Sequence, residues 1–582
     1  MRHQTCLVFS LVLFALAGCG GGNESAPSGT GNSAGFTLAP IAIKTFRFSW
    51  PIDPDATSYR LLENPDGASG FVPIADTTEN AFDHLVPLHL RSRARYLLQS
   101  CSGGTCLDRE QITVSGNLVP AIGYLKASNT GENDYFGAAV ALSGDGNTLA
   151  VSAPEEDAAF SAGQSDDSLR NSGAVYIFVR DGNTWRQQAY LKARNADIDD
   201  FFGSSLALSH DGNILAVGAP NEDADPAKGE SDNSFSNSGA VYLFTRSAGR
   251  WQQSAYLKAP GSETGFWFGY RVALSADGRR LAASAPLAAI QANPRIPAVG
   301  AIHVFERDTF DNWTETAILR ADNPDNDDAL GMSLALSADG NTLAAGSWKE
   351  RSAATGINGN GTDNSATWAG AAYIFVYTNG GWMQQAYIKA SNTDAYDGFA
   401  FDLALSGNGD TLAVAARDED SSSRTINGPE DNNDALQSGA VYIFNRNGAQ
   451  WSQQAYLKAP DASLQEWFGH RVSLSADGNL LAVAAYYDSS NADGIGGNAL
   501  DTSTAMAGAV HVFLRTTGNW SHSTFVKASN SDGFDLFGSA VALSADGETL
   551  AVGAAYEQGS AKGIMGNQSD NNTLDAGAVY LY

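Results

Sequence analysis

Residues 173–220 read GAVYIFVRDGNTWRQQAYLKARNADIDDFFGSSLALSHDGNILAVGAP, and this string recurs with small changes to the end of the chain. Anchored on the Leu of "ALS", the copies fall at Leu142, Leu208, Leu274, Leu336, Leu405, Leu474 and Leu543, spaced by 66, 66, 62, 69, 69 and 69 residues. A fixed period with one internal pattern means one supersecondary unit repeated, here seven times. Each unit holds four short runs of strand chemistry: "VALS" after a Phe-Gly pair, "LAVGA", the β-branched and aromatic "GAVYIF", and "AYLKA". Asp-Gly separates the first two runs in six units, from Asp145-Gly146 to Asp546-Gly547, and Asn408-Gly409 does so in the fifth. That dipeptide is the strongest short-range hairpin signal.

Four antiparallel strands repeated seven times predict an all-β fold, a seven-bladed β-propeller over 118–582. The chain ends decide between a ring and a linear solenoid. The repeat region opens on a fourth strand at Tyr124 that has no third strand before it, and closes on a third strand, Gly577 to Tyr582, that has no fourth after it. The strands balance only if those two ends pair, which also removes edges that would template aggregation. Trp185, Trp251, Trp313, Trp382, Trp451 and Trp520 each stand five residues before a fourth strand, and Val119 holds the seventh position.

The succession "FG…ALS", "LAVGAP", "GAVYIF" resembles the FG-GAP repeats of the integrin α-subunit propeller, and is most similar to bacterial FG-GAP repeat proteins. The resemblance implies the fold; propellers of this kind serve adhesion, scaffolding and accessory roles alike. Integrin-type units often hold calcium in the first hairpin, with acids at fixed spacing. Here the corresponding residues are Ala141, Ser143, Asp145, Gly146 and Leu149, so one carboxylate remains per loop where a hard cation wants several oxygens. These loops read as plain turns.

Upstream, residues 1–18 read as a secretory signal: Arg2 and His3 precede an apolar run from Cys6 to Ala17. Leu16-Ala17-Gly18-Cys19 looks like a lipobox, which implies a lipidated Cys19 and, with Gly20 following, an outer-membrane address facing either side. Residues 19–35 are Gly-, Ser- and Asn-rich and read as a flexible tether. Residues 36–117 lack the repeat and predict a small β-sandwich that resembles a fibronectin type III domain, with Trp50 in its core. Cys101 and Cys106 flank a Ser-Gly-Gly-Thr turn and are expected to form a disulfide. The formal charge of −29 argues against nucleic-acid and anionic-membrane partners, leaving the lipid as the only membrane contact.

Function is expected on the variable second-to-third links, which share a face with the fourth-to-first links. Two features stand there. Acid clusters (Glu155, Glu156, Asp157; Glu222, Asp223, Asp225; Asp418, Glu419, Asp420) would suit calcium, or form a solvated rim. Units three and six share a matched pair, Trp267-Phe268-Gly269-Tyr270-Arg271 and Trp467-Phe468-Gly469-His470-Arg471, while unit five places Asp402 where the arginines stand. Aromatic faces beside guanidinium groups suit glycans or carboxylates, and packing between blades is the competing reading. The histidines are scattered, and no zinc spacing, nucleophile elbow or phosphate loop is present. The expectation is therefore a monomeric, cofactor-free, surface-anchored binding protein for a protein or polysaccharide. A lyase-like enzyme using His470, Arg471 and Tyr270, or a periplasmic scaffold, are the alternatives.

Overall fold

The computed structural model describes residues 35–160, 163–291 and 294–582; the signal, Cys19 and nearly all of the tether lie outside them. Among the described residues, seven four-stranded antiparallel sheets carry the repeats. Blade 1 runs Val140–Leu142, Thr148–Ala153, Ala174–Asp181 and Thr184–Leu191 in spatial order. Blades 2 to 7 repeat it from first strands that begin at Ser205, Val272, Ser333, Phe399, Phe468 and Ala540. The seventh sheet takes its fourth strand, Gly123–Leu125, from the other end of the chain, with Tyr124 opposite Tyr580.

A cycle of backbone hydrogen bonds closes the ring. The residue after "ALS" ("SLS" in unit six) donates its N–H to the matching carbonyl of the next blade: Gly144 to His210, His210 to Ala276, and so on through Ala338, Gly407, Ala476 and Ala545, and Ala545 N donates back to Gly144 O at 3.0 Å. The Asp-Gly loops behind this cycle have four residues between Ser143 and Thr148 rather than two. The Asp145 carboxylate accepts from Ser143 Oγ, Asn147 N and Asn147 Nδ2 at 2.6–3.0 Å, and the same arrangement recurs around Asp211, Asp339 and Asp477. The one acid per loop is thus occupied in holding its own turn.

Second strands are almost entirely buried, which is why they read as unbroken Ala/Val/Leu runs. The Phe of each Phe-Gly packs on the third-strand aromatic, Phe136 on Tyr176 at 5.3 Å, for example, and Phe268 on His303 at 5.4 Å in blade 3. The fourth strands begin earlier than expected and include the tryptophans. A bulge in the third–fourth pairing of blades 1 to 6 leaves one residue extra, Gln188 in blade 1. Its amide oxygen accepts Trp251 Nε1 of blade 2 at 2.9 Å; Gln385–Trp451 and Gln454–Trp520 repeat the tie. Where Thr316 replaces the glutamine, Trp382 Nε1 is left buried without a partner.

The N-terminal region folds as two sheets. β1 (Thr37–Ala42), β2 (Thr45–Ser49) and β5 (Ala81–Leu85) form one, in the order β1-β2-β5. β4 (Val72–Thr77), β3 (Ser58–Asn64), β6 (Arg95–Ser102) and β7 (Thr105–Thr113) form the other, in that order. Phe46, Phe48, Trp50, Tyr59 and Tyr96 are buried between them, and a Cys101–Cys106 disulfide ties β6 to β7. This unit docks on the hairpin side of blade 7. His89 Nε2 meets Gly547 O at 3.0 Å, and Lys44 Nζ donates to Glu548 O and Thr549 Oγ1 at 2.5 and 2.7 Å. Burial lowers the Lys44 ammonium to about 7 and the His89 imidazole to about 3. The long links leave the opposite end of the blades from the Asp-Gly loops, and that of blade 6 also reaches the sandwich, where Ile495, Gly496 and Ala499 line one cavity with Arg93 and Val114.

Candidate binding face

Every blade junction on the long-link face is built from two residues in the left-handed region. The residue before the Phe-Gly motif, or before its counterparts Leu330-Gly331 and Phe399-Ala400, has φ of 53–62°: Tyr135, Phe201, Trp267, Ala329, Gly398, Trp467 and Leu536. Its N–H bonds to a carbonyl two residues before the junction glycine of the preceding blade, as Trp467 N does to Gln437 O at 3.1 Å. Those acceptors (Asn171, Asn237, Ala298, Trp368, Gln437, Met506, Asp575) are left-handed too, at 49–55°. Such conformations cost about 1–2 kcal/mol per non-glycine residue. Their seven-fold recurrence makes the strain architectural, and it sets side chains that differ from blade to blade on one face.

The charged pair from blades 3 and 6 converges at the innermost strands. Arg271 and Arg471 follow the Phe-Gly motifs by two residues, a position held elsewhere by Ala139, Ser205, Ser333 and Ala540. Burial lowers the Arg471 guanidinium, and Arg271 adds to that. Asp402 from blade 5 faces both; burial raises its carboxyl against the pull of Arg471 and Arg271. Among the described residues no ion pair joins them: Asp402 Oδ2 accepts Val472 N at 2.9 Å, while Arg271 and Arg471 donate to the neighbouring carbonyls of Tyr270 (3.3 Å) and His470 (2.9 Å). His470 is 8% exposed, stacks on Tyr486 at 4.0 Å, and has no partner at Nδ1. Burial, then Arg471, Arg417 and Arg271, keep its ring neutral. Trp267 stacks on Tyr270 at 5.9 Å, and Trp467 on Tyr487 at 4.1 Å.

Sequence reasoning missed the rest of this wall. Arg417 lies between the rings of Phe401 (3.7 Å) and Trp467 (4.1 Å), and pairs with Asp418 at 3.3 Å. Trp348 meets Phe401 at 6.2 Å and Trp368 at 5.7 Å, and Trp368 meets Tyr396 at 5.8 Å. Trp368 is 45% and Tyr396 60% exposed. The signal was present: the position filled by Pro154, Pro220 and Pro286 in the first three units is Trp348, Arg417 and Tyr486 in the next three.

The acid clusters divide. Glu156, Glu222 and Glu419 are not rim residues. Each is 1–2% exposed and bonded to a fourth-strand Tyr hydroxyl and Lys ammonium. Glu419 receives Tyr456 Oη at 2.8 Å and Lys458 Nζ at 2.9 Å, and Glu156 receives Tyr190 Oη at 2.7 Å and Lys192 Nζ at 2.9 Å. Glu350 and Glu557 do the same in blades 4 and 7, and Asp488 pairs with Lys527 in blade 6. Burial lowers all six lysines against the opposing acid. Asp157, Asp223 and Asp420 accept the N–H of the left-handed Asn171, Asn237 and Gln437 at 2.7 Å. Asp225 pairs with Lys228 at 3.1 Å, and Glu155 is half-buried, its carboxyl raised by burial and by Asp157. Among the described residues, no group of three or more His, Cys, Asp or Glu is arranged to hold a metal ion.

A second set of acids sets the pH response. Burial raises Asp134 and Asp328 to about 7, and Asp200, Asp397 and Asp535 to about 8, although each accepts a backbone N–H. An acid whose pKa rises on folding binds its proton more tightly in the folded state, so stability falls as pH climbs from about 4 to about 8. Glu63, lowered to about 2 by His84 and Arg91 against the opposing effect of burial, has the opposite sign, lost only below about pH 4. Buried His89, His511 and His522, lowered to about 3–4, add stability as pH rises to about 6.5 and oppose these acids there. The melting midpoint is therefore expected to decline from about pH 6.5 to about pH 8, and Asp200→Asn with Asp397→Asn and Asp535→Asn to flatten that decline in a calorimetric series. An unchanged slope in the triple variant would assign the pH response elsewhere.

A family model described as the FG-GAP repeat matches residues 122–178, 185–244, 382–444 and 451–513. Four segments of the chain are similar to the FG-GAP repeat. Each match opens on the fourth strand of one blade (7, 1, 4 and 5 in turn) and runs through the first three strands of the next (1, 2, 5 and 6); the first three strands of blades 3, 4 and 7 lie outside the matches and form the same four-stranded sheets. No curated protein matches. Among solved structures, the chain is similar to a candidate 6-phosphogluconolactonase of Bacteroides uniformis (TM-score 0.40, 12% identity, 69% of this chain and 90% of that one). It is similar also to one of Bacteroides fragilis (0.39, 13%, 83% and 98%) and to the WD40 repeats of RRP9 (0.44, 8%, 79% and 97%). At these scores the likenesses carry no argument about activity.

Proposed function

We propose that this chain is an envelope-anchored binding protein. In this reading Cys19 carries lipid in the outer membrane, residues 19–35 form a tether, and the sandwich is a fibronectin type III-like spacer. The propeller presents its long-link face to a protein or polysaccharide. The observation that carries the reading is the polarity of the molecule. The sandwich, which leads back to the anchor, covers the hairpin side of blade 7, and the strained junctions hold Trp368 and Tyr396 on the other side. The three-plus-four strand order supports the spacer assignment. The reading requires no metal and no catalytic group.

Full-length protein in detergent, immobilised through its lipid, is expected to capture a partner from envelope or extracellular-matrix fractions. Trp368→Ala with Tyr396→Ala should weaken that capture by about tenfold or more, the effect expected of a lost aromatic anchor. Equal capture by the double variant would remove this face from the interaction. Protease treatment of intact cells places the propeller outside if it is cleaved, and in the periplasm if it is spared.

A further inference from the structure

The mouth of the channel gathers cations in a strongly acidic protein. Arg271 and Arg471 face a single carboxylate, Asp402, whose Oδ2 is taken by Val472 N, and among the described residues each guanidinium makes one hydrogen bond, to a backbone carbonyl. Five N–H donors per guanidinium leave most of that capacity unmatched by protein groups. His470, more than nine-tenths buried, feels Arg471, Arg417 and Arg271 together and leaves Nδ1 without a partner. A buried polar atom is ordinarily bonded, so an unmatched one beside two under-used guanidiniums points to an anionic ligand. A planar, bidentate acceptor fits that donor geometry best.

What adjoins the mouth narrows the ligand. Arg417 over Trp467, Trp467 stacked on Tyr487, and Trp348, Trp368 and Tyr396 meeting edge to face extend outward from it as an aromatic wall. The weakly positive C–H groups of a pyranose face complement the negative face of an aromatic ring. An acidic peptide would use the guanidiniums but not an extended aromatic wall.

We infer that the channel mouth between blades 3, 5 and 6 binds the carboxylate of a uronic-acid residue within an acidic polysaccharide, with Arg271 and Arg471 as its recognising groups and the Trp348–Trp368–Tyr396 wall holding the adjoining sugars. This inference rests on the binding-protein reading above and specifies its ligand class.

The test is calorimetric titration of the full-length protein in detergent with oligogalacturonate, with its carboxyl-reduced neutral counterpart, and with polyglutamate. Oligogalacturonate is expected to bind, more weakly as salt rises, and the neutral oligomer at least about tenfold more weakly, since removing one partner of a desolvated charged contact costs that much or more. Arg271→Met and Arg471→Met should each lower affinity about tenfold or more with the melting midpoint retained. Arg471→Lys should recover only part of it, because an ammonium lacks the fork. The comparison of charged and neutral oligomers needs no variant, so it stands if Arg471→Met fails to fold. Equal binding of the neutral oligomer, sensitive to Trp368→Ala, would overturn the carboxylate site while leaving a polysaccharide binder. Arginine-dependent binding of polyglutamate alone would overturn the polysaccharide and leave a protein binder. Release of unsaturated uronate from the oligomer would overturn the binding-protein reading itself, making this mouth a lyase site.

Discussion

Gly439→Ala is expected to abolish cooperative folding of the propeller. Gly439 opens the third strand of blade 5 with φ of +80°, and a Cβ there would lie 2.0 Å from the carbonyl oxygen of Phe468 in blade 6. The left-handed conformation alone would cost an alanine about 1–2 kcal/mol. The contact is with backbone, so the strand junction itself must move, and the total should exceed about 4 kcal/mol, a loss reserved for broken structural devices. The same clash, at 2.0–2.2 Å, awaits a Cβ at Gly173, Gly239, Gly300, Gly370, Gly508 and Gly577. That is why every "GA" begins with glycine. Near-ultraviolet circular dichroism and a urea titration read the effect, and a wild-type midpoint for Gly439→Ala would show that the junction yields.

Lys458→Met should cost about 3–5 kcal/mol, because it strands the Glu419 carboxylate in a site that is 1% exposed. Blade 3 supplies the compensating set. There the tyrosine, lysine and glutamate positions are Ile318, Arg320 and Ala288, and Arg320 Nη1 donates to Gly300 O at 3.0 Å instead. Tyr456→Ile with Lys458→Arg and Glu419→Ala is therefore expected to recover most of the loss, since no buried carboxylate is then stranded and the arginine can donate to the junction carbonyl as Arg320 does in blade 3. The urea midpoints of the single and triple variants make the comparison. If the single variant unfolds with the wild type, the ion pair contributes little and these residues are open to other roles.

Blade 3 also shows how much of the interior was legible. Tyrosine, lysine and glutamate disappear from that unit together, although the glutamate lies more than thirty residues from the other two. Joint loss within one repeat marks a physical contact as plainly as any spacing, and it would have moved Glu156, Glu222 and Glu419 from the rim to the core. Read singly, an acid in a polar loop looks solvated, because charged residues are almost always exposed unless paired. The aromatic wall was hidden for another reason. Trp348, Arg417 and Tyr486 replace prolines at one repeat position, but a lone substitution in a variable link says nothing of its neighbours until the ring brings adjacent blades together. Phe401 and Arg417 meet only because a first strand and a second-to-third link end on the same face.

Local periodicity determined the repeat, its four strands, the pairing of the chain's two ends and the disulfide, since each rests on strand chemistry or turn geometry within one unit, or on counting units. Tertiary structure alone decided which acids are buried, which face the sandwich covers, and that Arg271, Asp402 and Arg471 meet though 200 residues separate the first from the last. Burial and charge coupling depend on what packs across the ring, and a chain read in order carries no measure of that distance.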